Sequence, residues 1–518
     1  MTQQTINVGT APNSGNGDPS RTAFTKINSN FTELYNDVVS VSVLNYGADP
    51  TGIADSAPAF RAAAASNRVL LVPPGTYSFA TSVASPGSSF DNSCVLYSGL
   101  TNFSISAYGA TFVAANSVAL SSLFMFYNSS NVQFFGGIFI GSRSGLTSGQ
   151  ENVALTLLSV NNFHIVDCYV SSGFNSNGAG IAGDWLVNGV FENIRMNNVG
   201  IAADVAFLQN VTFLNVVATG AGASGGVGAK GLSLIYDGPN VSNNLTGVSF
   251  TVSNNISYVN CVMSNFQTGA AISTGAGISF QGCKFVGNVG GSGNPGIGVY
   301  LYYMNGGSFT SVGAPVQDVS FVGCTFRANG SVALGTAGVV LDAATSAGTD
   351  KITGIAFAGC TFDNNITQGI GVNSTVANLA NLVAIGNTFT GSNQTISIAS
   401  NLNAIMNSIN DNNQANISTA LTLQAQVYHK NNVANYWADG SGNQQPIMSV
   451  SPSNITYLRP ASAAAYIALQ NFAGTNAMLV TNDANNPIQI VVGGVLEQVL
   501  AGTASSGGAG YRQLIVPN

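Results

Sequence analysis

Between about Ser93 and Ile398 the chain repeats one short pattern of apolar and polar positions. One half of the pattern opens on glycine and then alternates: GIAGDWL from Gly180, GIAADVA from Gly200, GLSLIYD from Gly231, GAAISTG from Gly269, GVYLYYM from Gly298, GVVLDAA from Gly338 and GIGVNST from Gly369. The other half places a Cys or apolar residue between two apolar flanks: IVDCYV from Ile165, FENIRM from Phe191, FLNVVA from Phe213, YVNCVM from Tyr258, FQGCKF from Phe280, FVGCTF from Phe321 and FAGCTF from Phe357. The halves alternate along the chain, and looser copies start near Ser93, Ser122 and Asn152. A period of two is that of a half-buried strand, and none of these segments shows the three-and-four spacing of a helix. Self-similarity at this length is the mark of a solenoid.

Two or more short strands per repeat, joined by Gly, Asn and Ser turns, predict an all-β chain coiled into a parallel β-helix. Its turns, or rungs, stack at about 4.8 Å, and right-handed coiling is the default for parallel crossovers. The interval from Gly180 to Gly200, 20 residues, sets the expected minimal rung. Longer intervals, 31 residues from Gly200 to Gly231 and 40 from Gly298 to Gly338, are read as rungs carrying insertions. Such insertions, for example SRSGLTSGQE and VATGAGASGGVGAK, build walls along the outside of a solenoid.

The pattern is absent from both ends of the chain. In residues 1–40 a turn-rich stretch precedes Phe24, Ile27, Phe31 and Leu34 at helical spacing, an amphipathic helix too short to be stable alone. Residues 41–92 carry turn signals, an Ala-rich helical stretch and a first strand, and residues 93–414 hold the repeats. Residues 415–518 return to strands after a polar connector, now in hairpin-like units with turns at FAGTN and NDANN, which predicts a separate β-rich domain.

Composition narrows the class. Of 518 residues only 6% are charged and 61 are glycine, and mean hydropathy is +0.27. Stacked neutral side chains tolerate this, whereas a helical enzyme of this length is richer in Lys and Glu. A net charge of −7 argues against a nucleic-acid partner. No apolar run reaches a membrane span of about 20 residues, and the start, MTQQTINVGT, has no signal-peptide pattern. Five of the six cysteines, Cys168, Cys261, Cys283, Cys324 and Cys360, share one slot of the repeat. That slot reads as an inward column in which Cys is a small apolar filler, neither a disulfide framework nor a metal site. No metal and no cofactor is expected.

The segment YGADPTGIADSAPAFRAAAA followed by RVLLVPPGTY, with the repeats behind it, resembles the pectate-lyase-like β-helix superfamily found in phage tailspikes and polysaccharide-active proteins. The resemblance implies that YGADPTG is a turn, DSAPAFRAAAA a short helix over the open end of the coil, and VLLVPPGTY the first strand. Asp49 and Asp55 then serve as turn former and helix cap. The stretch GDPSRTAFTKINSNFTELY is similar to N-terminal segments of phage tail proteins. Together these imply a tailspike or tail fibre, which in that family is a homotrimer. Residues 1–40 are then the attachment segment for the virion tail, baseplate or another tail protein, and residues 415–518 a trimerisation or glycan-binding domain. A bacterial surface polysaccharide is the implied partner. The implied location is the virion, assembled in the host cytoplasm, with no membrane insertion.

Candidate chemistry comes from aligning the glycine-led halves. The slot four residues after each glycine holds Asp184, Asp204, Ile235, Ser273, Tyr302, Asp342 and Asn373. On that alignment Asp184 and Asp204 stack one rung apart at roughly 5 Å, with Asp237 near the next rung. Two such carboxylates repel, so one titrates high. A protonated acid beside an ionised partner is what glycoside hydrolysis needs, with separations of about 5–5.5 Å for retention and about 6.5–9.5 Å for inversion. Trp185, Tyr236, Tyr302 and Tyr303 are candidate platforms for sugar rings. Asp342 reads as a structural turn residue; Asp167 and Glu192 are weaker candidates in the other half-repeat, and Arg195 and Lys230 are possible cations for an acidic glycan or a lyase step. The leading expectation is a tailspike that binds and depolymerises a surface polysaccharide, as a hydrolase ahead of a lyase. A non-catalytic receptor-binding or structural fibre and a free-standing pectinase-like enzyme stay open.

Overall fold

The computed structural model describes residues 4–407 apart from segments 37–39, 87–91, 116–121, 142–151, 221–229, 235–252, 290–295, 303–315, 331–336, 343–351, 374–378, 392–395 and 399–403 and a few positions at 173–177, 274 and 367; beyond them it describes only short strands between residues 435 and 498. The chain divides into two compact units, Met1–Ala425 and Gln426–Asn518. The domain boundary expected at 415 lies outside the described residues.

The first unit is a right-handed parallel β-helix. Its strands fall into a 21-stranded and a 12-stranded sheet, in which strands hydrogen-bond in parallel to their counterparts one turn away, except the short strand Val83–Ala84, which runs antiparallel to Asn92–Ser98. The larger sheet bends. Strands Val153–Val166, Ala179–Glu192 and Ile201–Leu214 are 14 residues long and turn a corner on residues with positive φ, such as Asn188 (54°) and Asn210 (55°). Asparagine suits the left-handed region because its short amide bonds locally. At these corners it also stacks: Asn255 donates to Asn210 at 2.9 Å and Asn210 to Asn188 at 2.9 Å. Each ladder satisfies exposed polar groups without charge.

Inside the coil, like packs on like. Phe191, Phe213, Tyr258, Phe280, Phe321 and Phe357 form one column with ring centroids 4.6–4.9 Å apart, and the Phe163 ring, across from Gly189 in register, tilts against Phe191 at 5.0 Å. The cysteine slot forms another. Lys284 bonds back to the Cys261 carbonyl, Thr325 to that of Cys283 and Thr361 to that of Cys324, so these thiols sit on successive rungs. All six cysteines are buried and free, and each thiol from Cys261 to Cys360 donates to a backbone carbonyl of the preceding rung. Asn387 ends the column, accepting from the Cys360 amide and donating to Phe357 O.

The register corrects the expected rung length. Ala179 pairs with Ile201 and Asn254 with Ala276, so the shortest rung is 22 residues (201 − 179), not 20. The glycine-led slot is real elsewhere: Gly231, Gly269, Gly298 and Gly338 stack so closely that an added Cβ would meet the carbonyl of the next glycine at 2.1–2.8 Å, and at Gly369 it would meet the Phe389 ring at 2.7 Å. At Gly200 the pattern misleads. The residue in that slot is Ala202, and Gly200 sits two positions earlier, where its amide bonds to Phe174 O.

At the N-terminal end of the coil a short helix forms over the stretch for which the family resemblance implies one. Helix Ala57–Ala63 carries Pro58 in its first turn and inserts Phe60 edge-on against Tyr77, Phe79, Phe112 and Phe124. Asp55 accepts from the Ala57 and Ala80 amides and the Thr81 hydroxyl. Asp49 accepts from the amides of Ala54, Thr51 and Ile53 and from the Thr51 hydroxyl. Further upstream, helix Ser20–Asn36 forms over the expected stretch, with Lys26 bonded to Asp18 at 2.7 Å and Phe24 and Phe31 64% and 55% exposed.

The second unit has a three-stranded antiparallel sheet, Asn435–Ala438, Gln444–Val450 and Thr456–Leu458. A four-stranded one follows, with Tyr466–Gln470 paired to Asn476–Thr481 and that strand to Ile488–Val492. Val495–Gln498 completes it.

Two predictions follow from this packing. A thiolate is the reactive form of cysteine. Burial pushes the Cys94 thiol up to about 12, and hydrogen bonding with Cys261, ahead of burial, does the same for Cys283. All six thiols should resist a thiol reagent at pH 8 in the native state and react together on unfolding; early labelling of any one counts against the filled column. Asp49 is held down at about 2, first by the Ala54 amide and then by Thr51. Its folded value lies below the unfolded one of about 3.9, so its stabilisation is present above that value and lost as pH falls towards about 2. Asp49→Asn should therefore lower the melting temperature at pH 7, with the gap to wild type closing between pH 4 and 2.

Candidate active site on the outer face of the larger sheet

Side chains alternate across a strand, so the residues between the core positions of the larger sheet face outward. In strand Ala179–Glu192 the core takes Ile181, and in strand Ile201–Leu214 it takes Ala203 and Val205. Ala182, Asp184, Asp204 and Ala206 therefore share the outer face. Both aspartates are half-buried, while Ala182 and Ala206 are 2% and 1% exposed. A second, smaller apolar cluster lies on this face: Met125, Val153, Leu158, Ala179 and Ala182, with Leu96, Tyr127 and Ile201 against it. The acids thus stand at the border of apolar ground, where electrostatic interactions are stronger than in open water.

The 22-residue register changes their relation. Asp204 pairs with Ala182, and Asp184 with Ala206. The two carboxylates are on adjacent rungs of one face but displaced by two residues, not stacked as expected. One strand spacing and two residues of rise put their Cα atoms about 8 Å apart. The other slot members do align: Tyr302 pairs with Asp342, and Asp342 with Asn373.

Trp185 and Phe207 are neighbours on these two rungs, stacked at 4.3 Å and 11°. Both are buried, 3% and 2% exposed, and both turn the corner with positive φ, 58° and 53°. A bulky residue in this conformation costs on the order of 1–3 kcal/mol and persists only where its surroundings impose it. The expected sugar platform at Trp185 is thus a wall inside the protein, its face covered by Phe207, immediately behind Asp184. Asp237, Tyr236 and Tyr303 lie outside the described residues, as does the side chain of Lys230.

Farther along the same face is a grouping that slot alignment alone did not reveal. The Tyr300 hydroxyl donates to Asp342 Oδ2 at 2.7 Å, and the rings of Tyr300 and Tyr302 stack at 4.6 Å and 14°. Burial, followed by the bond to Asp342, pushes the Tyr300 phenol up. The alternation in GVYLYYM already put both tyrosines on one face, and the slot alignment already set Tyr302 beside Asp342; the bond from Tyr300 to Asp342 is what the structure adds.

The weaker candidates belong to other faces. Glu192 meets His164 at 2.8 Å on the segment beyond the Asn188 corner. Asp167 accepts from Tyr108 at 2.9 Å and from Asn193 at 3.1 Å. Arg195 is an exposed residue of the smaller sheet, across from Tyr169 and Val217. The structure does not bring these residues to Asp184 and Asp204. Among the described residues no group of three or more His, Cys, Asp or Glu could hold a metal ion, and no helix is long and apolar enough to cross a membrane.

No protein-family model matches the chain, and no curated protein does. Solved structures do. Endo-xylogalacturonan hydrolase from Aspergillus tubingensis is similar over 71% of this chain and 99% of its own, at 12% identity and a TM-score of 0.49. The A-module of Azotobacter vinelandii mannuronan C-5 epimerase AlgE4 is similar over 71% of this chain and 94% of its own, at 11% identity and 0.46. The ORF18 protein of Geobacillus virus E2 is similar over 94% of this chain and 90% of its own, at 10% identity and 0.40. Likeness at this level carries no inference about chemistry.

Removing the indole tests the wall behind Asp184. Trp185→Ala forfeits a buried aromatic side chain and should destabilise the coil by about 3–5 kcal/mol, read as a lower urea midpoint or faster unfolding. An unchanged midpoint would mean that the strained corner offsets the packing it supports.

Proposed function

We propose that this protein is a phage tailspike that depolymerises a bacterial surface polysaccharide, with Asp184 and Asp204 as the acid and base of a glycoside hydrolase. One observation supports the chemistry above the others. Two half-buried carboxylates share an outer face on adjacent rungs at the edge of an apolar cluster. Their diagonal placement, with Cα atoms about 8 Å apart rather than stacked at the rung spacing, favours a gap that admits a water between a sugar carbon and the base, as inversion requires. One carboxyl protonates the leaving oxygen; the other takes a proton from the attacking water. Trp185, packed behind Asp184, holds that corner of the site fixed.

The phage assignment rests on sequence. The N-terminal stretch similar to tail proteins folds as helix Ser20–Asn36 and leaves Phe24 and Phe31 exposed. In this reading residues 1–40 attach to the tail, the coil forms a homotrimer, and residues 415–518 lock the trimer or bind glycan. Asp237, Tyr236 and Tyr303 remain proposed participants, the first as a third carboxylate and the tyrosines as sugar contacts.

Size-exclusion chromatography and a reducing-end assay on polysaccharides from a panel of bacteria test the proposal. Wild type should shorten one of them, and Asp184→Asn and Asp204→Asn should each lower the rate by about 10²–10⁴-fold. The first product should carry the inverted anomeric configuration by NMR. Cleavage that survives both substitutions moves the site elsewhere; no cleavage across the panel leaves a non-catalytic adhesin as the reading.

A further inference from the structure

One edge of the coil keeps a fixed length. In nine successive rungs, from Phe135 to Thr388, two residues separate the end of the larger-sheet strand from the start of the smaller-sheet strand. Elsewhere the rungs take insertions. Residues 235–253 separate Lys230–Leu234 from Asn254–Val259, and residues 303–315 separate Ile297–Tyr302 from Val316–Val322. An insertion holds a neighbouring body away from the coil, and this edge has none.

Just before that turn the outward side chains of the larger sheet form a column in register: Leu214, Val259, Gln281, Val322, Ala358 and Ile385. Val322 and Ile385 are 49% and 47% exposed. The outward column beside it, from Thr212 to Val383, is uncharged, and so are the turn residues that follow it, from Asn215 to Gly386. Five strand spacings make this strip about 24 Å long. Among the described residues two exposed charges border it on opposite sides. Asp318 stands at the corner before the strip, with φ of 52°, and Lys284 opens the smaller-sheet strand after it. Asp318 falls at the register place of Gly277, seven residues before Lys284 (284 − 277), and one rung farther along the axis.

We infer that this strip is the face by which copies of the chain pack side by side, in parallel, around a common axis. The inference rests on the proposed homotrimer and names its contact. A closed ring of identical copies joins one border of each to the opposite border of the next. That sets Asp318 of one copy against Lys284 of its neighbour, and the flexible lysine stem covers an offset of one rung, about 4.8 Å. Opposite charges at the rim fix the order of the copies, while the aliphatic column turns inward and is buried. The partner follows from the repeat. Only a body with the same spacing stays in step over six rungs, and a second copy of this chain has it.

Light scattering gives the mass of the full-length wild type, and single cysteines report the face. The native thiols are buried, so a cysteine placed on the strip is the one that oxidises. Under copper-catalysed air oxidation, Val322→Cys and Ile385→Cys should each link two chains of a trimer. Both should do so at least about tenfold faster than Ile53→Cys, which is 88% exposed but lies on the smaller sheet. Continued protection of the six native thiols shows that each variant is folded. On wild type, a carbodiimide should couple Lys284 to Asp318, and in trimers assembled from light and 15N-labelled chains the coupled peptides should carry mixed labels. A trimer whose strip cysteines stay unlinked, or whose Lys284 couples to another carboxylate, overturns the inference and leaves the homotrimer standing. A wild-type monomer overturns both. A dimer linked through Val322→Cys removes the homotrimer and keeps this face.

Discussion

The backbone hydrogen bond between a strand and its counterpart one turn away governs this molecule. It fixes the rung spacing at about 4.8 Å, and that distance decides what each column of side chains can contain. Aromatic rings fit it when stacked face to face, as from Phe191 to Phe357. Thiols fit it, each donating to a carbonyl of the rung before. Asparagines fit it by passing amide hydrogen bonds along a corner. Like charges do not, because two unit charges at that distance repel without relief. The 6% charge content is thus a requirement of the coil as much as a habit of composition.

The same constraint shapes the site. Two carboxylates in one column would meet at the rung spacing. The register instead sets Asp204 beside Ala182 and Asp184 beside Ala206. Each acid gains an alanine for a direct neighbour and the other acid for a diagonal one. The corner behind Asp184 is made by Trp185 and Phe207, residues that resist a left-handed backbone, where other corners use asparagine. Strain of this kind is tolerated where the surrounding packing holds it.

Much of this was legible in the chain before folding. Alternation gave the strands, and the recurring Cys slot gave an inward column, since a period-two pattern needs no knowledge of partners. The helix from Ser20 was legible because its signal is local, whereas the helix Ala57–Ala63 was expected from the family resemblance of its segment. Register was not. Gly200 mimics the glycine that opens a rung, yet Ala202 occupies that place, and a two-residue slip keeps every side chain on its proper face while changing its neighbour. The sequence therefore put Asp184 and Asp204 on the right face and misjudged their spacing. The slot alignment did set Tyr302 beside Asp342, but the hydrogen bond that Tyr300 makes to Asp342, 42 residues on and across an insertion, depends on side-chain reach that the pattern does not carry. Burial of Trp185 was equally hidden, since its ring partner Phe207 is chosen by the same register.

A coil of parallel strands has a polarity that a closed barrel lacks. At either end the last rung presents backbone groups that would accept another strand, from the same chain or a neighbour's. Helix Ala57–Ala63, with Phe60 driven into four rings, stoppers one of these ends. That cap withholds the terminal rung's backbone groups from a strand of another copy at that end. A coil lengthened by one turn on the far side of that cap, with the shortest rung described here, would gain 22 residues.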